Sequence, residues 1–443
     1  MSFIKNIESA FKIEELRNKI LTTLFFVVLY RLGGHIQLPG IAPSAVLSGN
    51  EATGVLDMFL GGAFSKGAIF GLGIMPYISA SIILQLAQFA IPSIQKLSKE
   101  GESGRKKISQ YTRILTIIVC VLQSFGFITY ITSQDHMLMV GIDKTVFTAQ
   151  SVVLLTAGTM FCMWMGDQIT EKGIGNGISI LITIGILARF PESLVMEYNN
   201  LFENAAGGGA LIVLLEAVVF FAVVLLTILI IQGVRKIPVN YANQLMNKNS
   251  NPALGGPQSS IPLKVNQAGV MPIIFAQAVV ILPGFLGGQM SGSDIGSFIS
   301  TYFRYGQIGY VLLLVVLIIV FTFFYTAMIL NPVEIADDLK RNGGFVPGVK
   351  PGEPTASFID SVLSKITLPG SLFIAAIAII PSIISLVLVK ENQQLASFFG
   401  GTSLLIIVGV VLDTAMNIKS HLLMKEYDGM MNTGRVRRSQ PIS

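Results

Sequence analysis

Residues 71–84 read GLGIMPYISASIIL, and residues 268–282 read AGVMPIIFAQAVVIL. Both place Gly-x-Met-Pro at the head of an apolar run, with isoleucine close behind. Glycine admits backbone conformations closed to other residues, and proline fits the first turn of a helix, where its missing N–H costs no hydrogen bond. Each stretch therefore reads as a break followed at once by a helix start. Interrupted apolar segments at corresponding places in two halves of a chain point to its working site.

The surrounding composition says what kind of chain this is. Of its 443 residues 52% are hydrophobic and only 12% charged, with a mean hydropathy of +0.69. Soluble domains carry about 25% charged residues, so this chain belongs in lipid. Crossing about 30 Å of hydrocarbon takes roughly 20 apolar residues. Ten candidate spans lie near 20–37, 72–92, 112–132, 147–166, 176–190, 209–231, 268–288, 306–330, 367–389 and 397–417. The expected fold is an all-α polytopic membrane protein, with ten transmembrane helices in two halves of five. An odd-numbered half inverts its partner across the membrane, and the two Gly-x-Met-Pro breaks open the second span of each half.

The expected organisation is an N-terminal segment 1–19, a first half 20–208, a second half 209–417 and a tail 418–443. In the first segment Phe3, Ile4, Ile7 and Phe11 recur at helical spacing among charges, the pattern of an amphipathic helix on the membrane surface. No cleavable signal peptide is visible there. The termini and alternate loops hold 24 of the 30 lysines and arginines, while the opposite loops hold only Lys144, Arg189, Arg304 and Lys390. The positive-inside rule then places both termini in the cytoplasm. Cys120 and Cys162 fall within spans and read as small apolar fillers.

Several function classes fall away. An ion-coupled transporter with inverted repeats, the runner-up reading, needs ionisable groups near the bilayer middle. Here Arg31, Asp167, Glu216 and Asp413 lie close to span ends, where snorkelling to headgroups is inexpensive. GESGRKK at 101–107 is only slightly similar to a basic sugar-porter loop. Hydrolase, metalloprotease and nucleotide-binding signatures are missing, and His35, His136 and His421 are scattered. An enzyme is not expected, nor a metal or cofactor. Residues 55–71, VLDMFLGGAFSKGAIFG, are too short and Gly-rich to span. They are either an external loop or a short re-entrant helix shielded in a cavity.

Longer motifs make the reading specific. GIMPYISASIILQL (73–86), KEGESGRKKISQYTR (99–113), GDQITEKGIGNGISI (166–180), LKVNQAGVMP (263–272), FVPGVKPGEPT (345–355) and FGGTSLLIIVGVVLD (399–413) together resemble the SecY family, channel subunits of the bacterial Sec protein translocon. The likeness runs in order along essentially the whole chain. It implies two halves closing like a clamshell around an hourglass pore in the inner membrane, through which unfolded polypeptide crosses and from which apolar segments leave sideways. It implies a ring formed by Ile74, Ile78, Ile178, Ile182, Ile274 and Ile406, a plug at roughly 57–70, and a lateral gate between spans two and seven, with Gln85 and Asn266 as its polar candidates. It also implies SecE, SecG, the SecA motor ATPase and ribosomes as partners.

Two long cytoplasmic loops suit such docking. Residues 233–267 carry Arg235, Lys236, Lys248 and Lys264 with no acid, a charge set suited to ribosomal RNA phosphates. Residues 331–366 begin with Asn331 as a helix N-cap and Pro332 in the first turn, so span eight is expected to continue as a cytoplasmic helix. Seven of the thirteen residues from Gly343 to Thr355 are Gly or Pro, predicting an extended, exposed tip. There the family resemblance implies arginine, whereas this chain has Lys350, which keeps the charge without the planar fork.

Overall fold

Each of the ten apolar runs falls on a helix. The computed structural model describes residues 13–42, 57, 59–132, 137–139, 141, 143–204, 209–241, 259–289, 302, 307–387 and 401–438. The expected surface helix carrying Phe3, Ile4, Ile7 and Phe11 lies outside these residues, as does Lys248. Among the described residues seven helices are long and apolar enough to cross a membrane, or eight if one bent pair counts as a span. The chain divides into two compact units, Met1–Ser193 with Val410–Ser443, and Leu194–Gly409.

The first unit opens with α1 (Glu14–Gly33), whose acidic first turn and Arg31 in the last turn complement the helix dipole. Helix α2 (Met75–Ala90) carries Pro76 in its first turn. Ile91, held extended by the following Pro92, ends α2, and the chain bends by 104° into α3 (Pro92–Lys99). Helices α4 (Glu102–Thr132), α5 (Lys144–Lys172) and α6 (Gly177–Asn204) follow. Asp143 caps α5 by accepting the Thr145 N–H at 3.0 Å. Helix α4 packs against both α2 and α5, and α1 against α5.

The second unit contains α7 (Gly209–Gln232), α8 (Met271–Gln289), α9 (Ile308–Ile329), α10 (Pro332–Arg341) and α11 (Glu353–Val387). Helix α12 (Gly401–Arg438) begins in this unit and ends in the first. Helix α9 packs on α8 and α11. Cys120 and Cys162 are buried and unbonded to each other, as apolar fillers should be.

To the helical class the structure adds a small sheet that the sequence reading lacked. Strand β1 (Val234–Tyr241) pairs antiparallel with β2 (Ser259–Lys264), Val234 opposite Lys264 and Ile237 opposite Ile261. Its other edge pairs with β3 (Gly344–Phe345). Ile237, Val239 and Leu263 bury one face of this sheet against Leu339, Ile359 and Leu363. Leu339 belongs to α10 (Pro332–Arg341), which starts as expected: Asn331 accepts the Val333 N–H, and Pro332 follows in the first turn. Helix α11, at about 1.5 Å per residue, is about 52 Å long, and its first turns belong to this small domain. The Gly/Pro-rich tip is only partly exposed. Pro347, Gly348 and Lys350 are open to solvent, whereas Val346 is buried in the sheet's core because β3 anchors the tip's near end.

Candidate functional site

The Gly-x-Met-Pro breaks are left-handed corners. Gly73 has φ +49 and Gly269 has φ +65, a left-handed backbone that a Cβ disfavours, and each lies two residues before its helix. Gly175 repeats the device before α6. At the first corner Ile74 sits at the N-cap and Ile78 one turn in, both buried. At the second, Asn266 donates to the Gly269 carbonyl at 2.9 Å and so ties the corner, leaving its buried Oδ1 without a hydrogen bond. At the third, Asn176 Oδ1 accepts from Ile178 N and Ser179 N, and Thr170 Oγ1 accepts from Gly177 N. Ile182 is buried, and Ile178 lies over Gly166 of α5, so near that a Cβ there would crowd it.

In the second unit the structure brings Ile274 and Ile406 onto adjoining helices. Gln277, one turn after Ile274 on α8, accepts from Thr402 Oγ1 at 3.3 Å, and Thr402 lies one turn before Ile406 on α12. The same Gln277 donates to Tyr310 Oη of α9 at 2.8 Å. A Cβ on Gly409 would strike Val270, so α12 and the head of α8 meet without room for a side chain. This buried polar link between three helices went unnoticed in the sequence. A glutamine among isoleucines on a span was its only signal.

The non-spanning segment is built into the first unit. Residues 60–74 form turns, with helical backbone at Asp57 and Phe59, and most of their side chains are buried. Leu60, Ala63, Phe64, Ala68 and Leu72 join one core with Cys120, Phe127, Ile131, Phe147 and Leu155 from α4 and α5. Phe64 and Phe127 place their ring centroids 4.6 Å apart. Backbone bonds Leu38 N to Gly67 O and Ile69 N to Ile36 O fasten it to the chain after α1. Of the two readings left open, an external loop and a shielded re-entrant element, the burial favours the shielded one, made of turns.

Two arginines, Arg31 in the last turn of α1 and Arg189 midway along α6, reach this segment. Arg31 donates to the Gly61 carbonyl at 3.1 Å, and Arg189 pairs with Asp57 and donates to Ser65 Oγ at 2.9 Å. This corrects the snorkelling expected of Arg31. Asp167 likewise pairs with Arg113 at 2.7 Å, and Glu216 is 5% exposed. In each case a protein partner or protein packing surrounds the charge.

Gln85 reaches Ser81 of its own helix at 3.0 Å. Arg235 and Lys236 are exposed on β1, and Lys350 is exposed beyond β3, so all three belong to the small sheet domain. No group of three His, Cys, Asp or Glu among the described residues could hold a metal ion.

A family model described as SecY matches residues 68–415. The protein translocase subunit SecY of Streptomyces scabiei is 42% identical over 455 residues, covering 95% of this chain and 98% of that one. The corresponding subunit of Escherichia coli K12 is 40% identical over 434 residues, covering 96% and 95%. A solved protein-conducting channel superposes with TM-score 0.64 at 16% identity, covering 91% of this chain and 92% of its own. Sec61 from a canine ribosome–channel complex gives TM-score 0.60 at 16% identity over the same shares.

Proposed function

The chain belongs to the SecY family of protein translocase subunits, and on that premise we propose how its own residues conduct polypeptide. It is the protein-conducting subunit of a Sec-type translocon, a membrane protein with multiple apolar helices. Unfolded chain passes beside Ile74, Ile78, Ile178, Ile182, Ile274 and Ile406. Branched aliphatic side chains mould around an arbitrary sequence and offer it no polar site to stick to. At rest a dry constriction of such groups excludes ions by dewetting, with no charged filter. The segment at 57–70 is the resting seal. Apolar stretches leave toward lipid beside α2 and α8, near Gln85 and Asn266.

The observation that carries this reading is the sequence of structures from 57 to 78: a buried segment of turns, a left-handed Gly73 corner, then Ile74 at the N-cap of a helix and Ile78 one turn in. The scarcity of ionisable groups at depth supports a channel over a coupled transporter. The reading also makes the chain ten-spanning, with both termini cytoplasmic in a bacterial inner membrane, and without catalytic chemistry of its own. Arg235, Lys236 and Lys350 receive the SecA motor or a ribosome, and the complex in which Sec61 was solved with a ribosome supports the latter. SecE and SecG complete the translocon. Widening the waist tests the ring: Ile78→Gly and Ile182→Gly, in reconstituted channels, should each raise resting ion conductance. Unchanged single-channel conductance across both variants would remove the ring from the seal.

A further inference from the structure

The segment that seals is fastened in two different ways. Its later part, from Ala63 to Leu72, is embedded in the apolar core. Its earlier part depends on polar contacts to Arg31 at the end of α1 and Arg189 midway along α6. Asp57, 7% exposed, pairs with Arg189 and accepts the Ser65 N–H at 2.7 Å, while Arg189 also donates to Ser65 Oγ. Gly185, one turn before Arg189, lets the backbone of Phe59 lie directly on α6, since a Cβ there would run into the Phe59 carbonyl. Apolar packing is non-directional and tolerates sliding, whereas a buried ion pair is short-ranged and either made or broken.

Arg189 has a second partner. Its Nη1 donates to Glu192 Oε2 at 2.8 Å, on the same helix and three residues on. The Glu192 side chain is 59% exposed, against 9% for Asp57. Breaking a buried pair is costly because it strands a charge. Here the arginine is already held on its far side by a carboxylate that stays behind.

We propose that Asp57, Arg189 and Glu192 form a transferable ion-pair catch, in which Arg189 holds the start of the sealing segment closed through Asp57 and is retained by Glu192 when that stretch withdraws. The proposal rests on reading 57–70 as the seal. Asp57 is the moving half of the catch, and Arg189 and Glu192 the fixed half. Arg189 is thus a positioning residue, and Glu192 lowers the barrier to opening without contributing to closure. The two carboxylates therefore differ in role: Asp57 stabilises the closed state, and Glu192 eases the passage out of it.

The test is conductance of the reconstituted full-length translocon in planar bilayers, at rest and with a synthetic signal peptide (basic head, apolar core) as probe. Arg189→Met and Asp57→Asn should raise the resting open fraction at least about tenfold, since each removes the ion pair that holds the start of the segment closed. Glu192→Gln should leave the resting value unchanged and reduce peptide-stimulated opening several-fold. Arg189→Lys, which keeps the charge but not the fork, should stay closed at rest and open as poorly as Glu192→Gln. A control replaces 57–62 with Gly and Ser of equal length, leaving the core part intact. If that control leaks while Arg189→Met seals like the parent, the catch is refuted and the sealing role stands. If the control itself does not leak, the sealing role falls first. Peptide-stimulated opening that is normal in Glu192→Gln overturns the transfer.

Discussion

Gly73 and Gly269 occupy the same motif and the same backbone, yet their surroundings differ. A Cβ on Gly73 would press into the Leu60 side chain, whereas nothing lies within 4 Å of the one on Gly269. Gly269→Ala should cost only the left-handed backbone penalty, about 1–2 kcal/mol, and Gly73→Ala distinctly more. Thermal denaturation of the two variants in one detergent checks the order, and equal losses would mean that Leu60 yields freely. Lys350 is a second residue with a sharp expectation. It is exposed at the tip of the sheet domain, with its carbonyl tied by Thr355 Oγ1 at 2.8 Å, so the backbone is held while the ammonium is free to dock. Lys350→Ala should lower motor-stimulated translocation and Lys350→Arg should maintain or raise it. Stimulation indifferent to both would take the tip off the docking surface.

Among elements, the link from α8 through Gln277 to α9 and α12 joins the helices that carry Ile274 and Ile406. Gln277→Leu removes both bonds and leaves the Thr402 and Tyr310 hydroxyls to find other partners. Interhelical hydrogen bonds in membranes average about 0.6 kcal/mol, with a maximum near 1.7, so the expected loss lies in that range. A double-mutant cycle with Thr402→Val, read by thermal unfolding, should return a coupling of that size, and zero coupling would remove the link. Helices were legible from the sequence because apolar length alone places them. The corners were legible because Gly followed by Pro admits few other structures. Strand β1 was missed because its apolar alternation is confined to Ile237, Val239 and Tyr241, and charge dominated the reading of that loop. Its partner strand lies 17 residues further on, beyond any hairpin signal. The pairing of Asp57 with Arg189 spans 132 residues, and no local pattern announces it.

At the scale of the whole molecule, both compact units carry the same device: a left-handed glycine, Met-Pro at the helix start, and a buried isoleucine in the first turn or just beyond it. The likeness to SecY sequences spans both units, so composition, repeat and family agree on a conduit for polypeptide. The sequence marked the isoleucines as candidates through that resemblance, while the tether on 57–65 and the Gln277 link came from the fold. The claim on which the rest depends is that a translocating chain passes beside Ile78 and Ile274. The direct measurement is crosslinking from a single cysteine at Ile78 or Ile274, in a background with Cys120→Ala and Cys162→Ala, to a polypeptide stalled in transit. Crosslinks are expected from both positions and not from Ile83, which is 49% exposed on the outer face of α2. Crosslinks from Ile83 alone, or none from either isoleucine while a small solute is transported, would contradict the account.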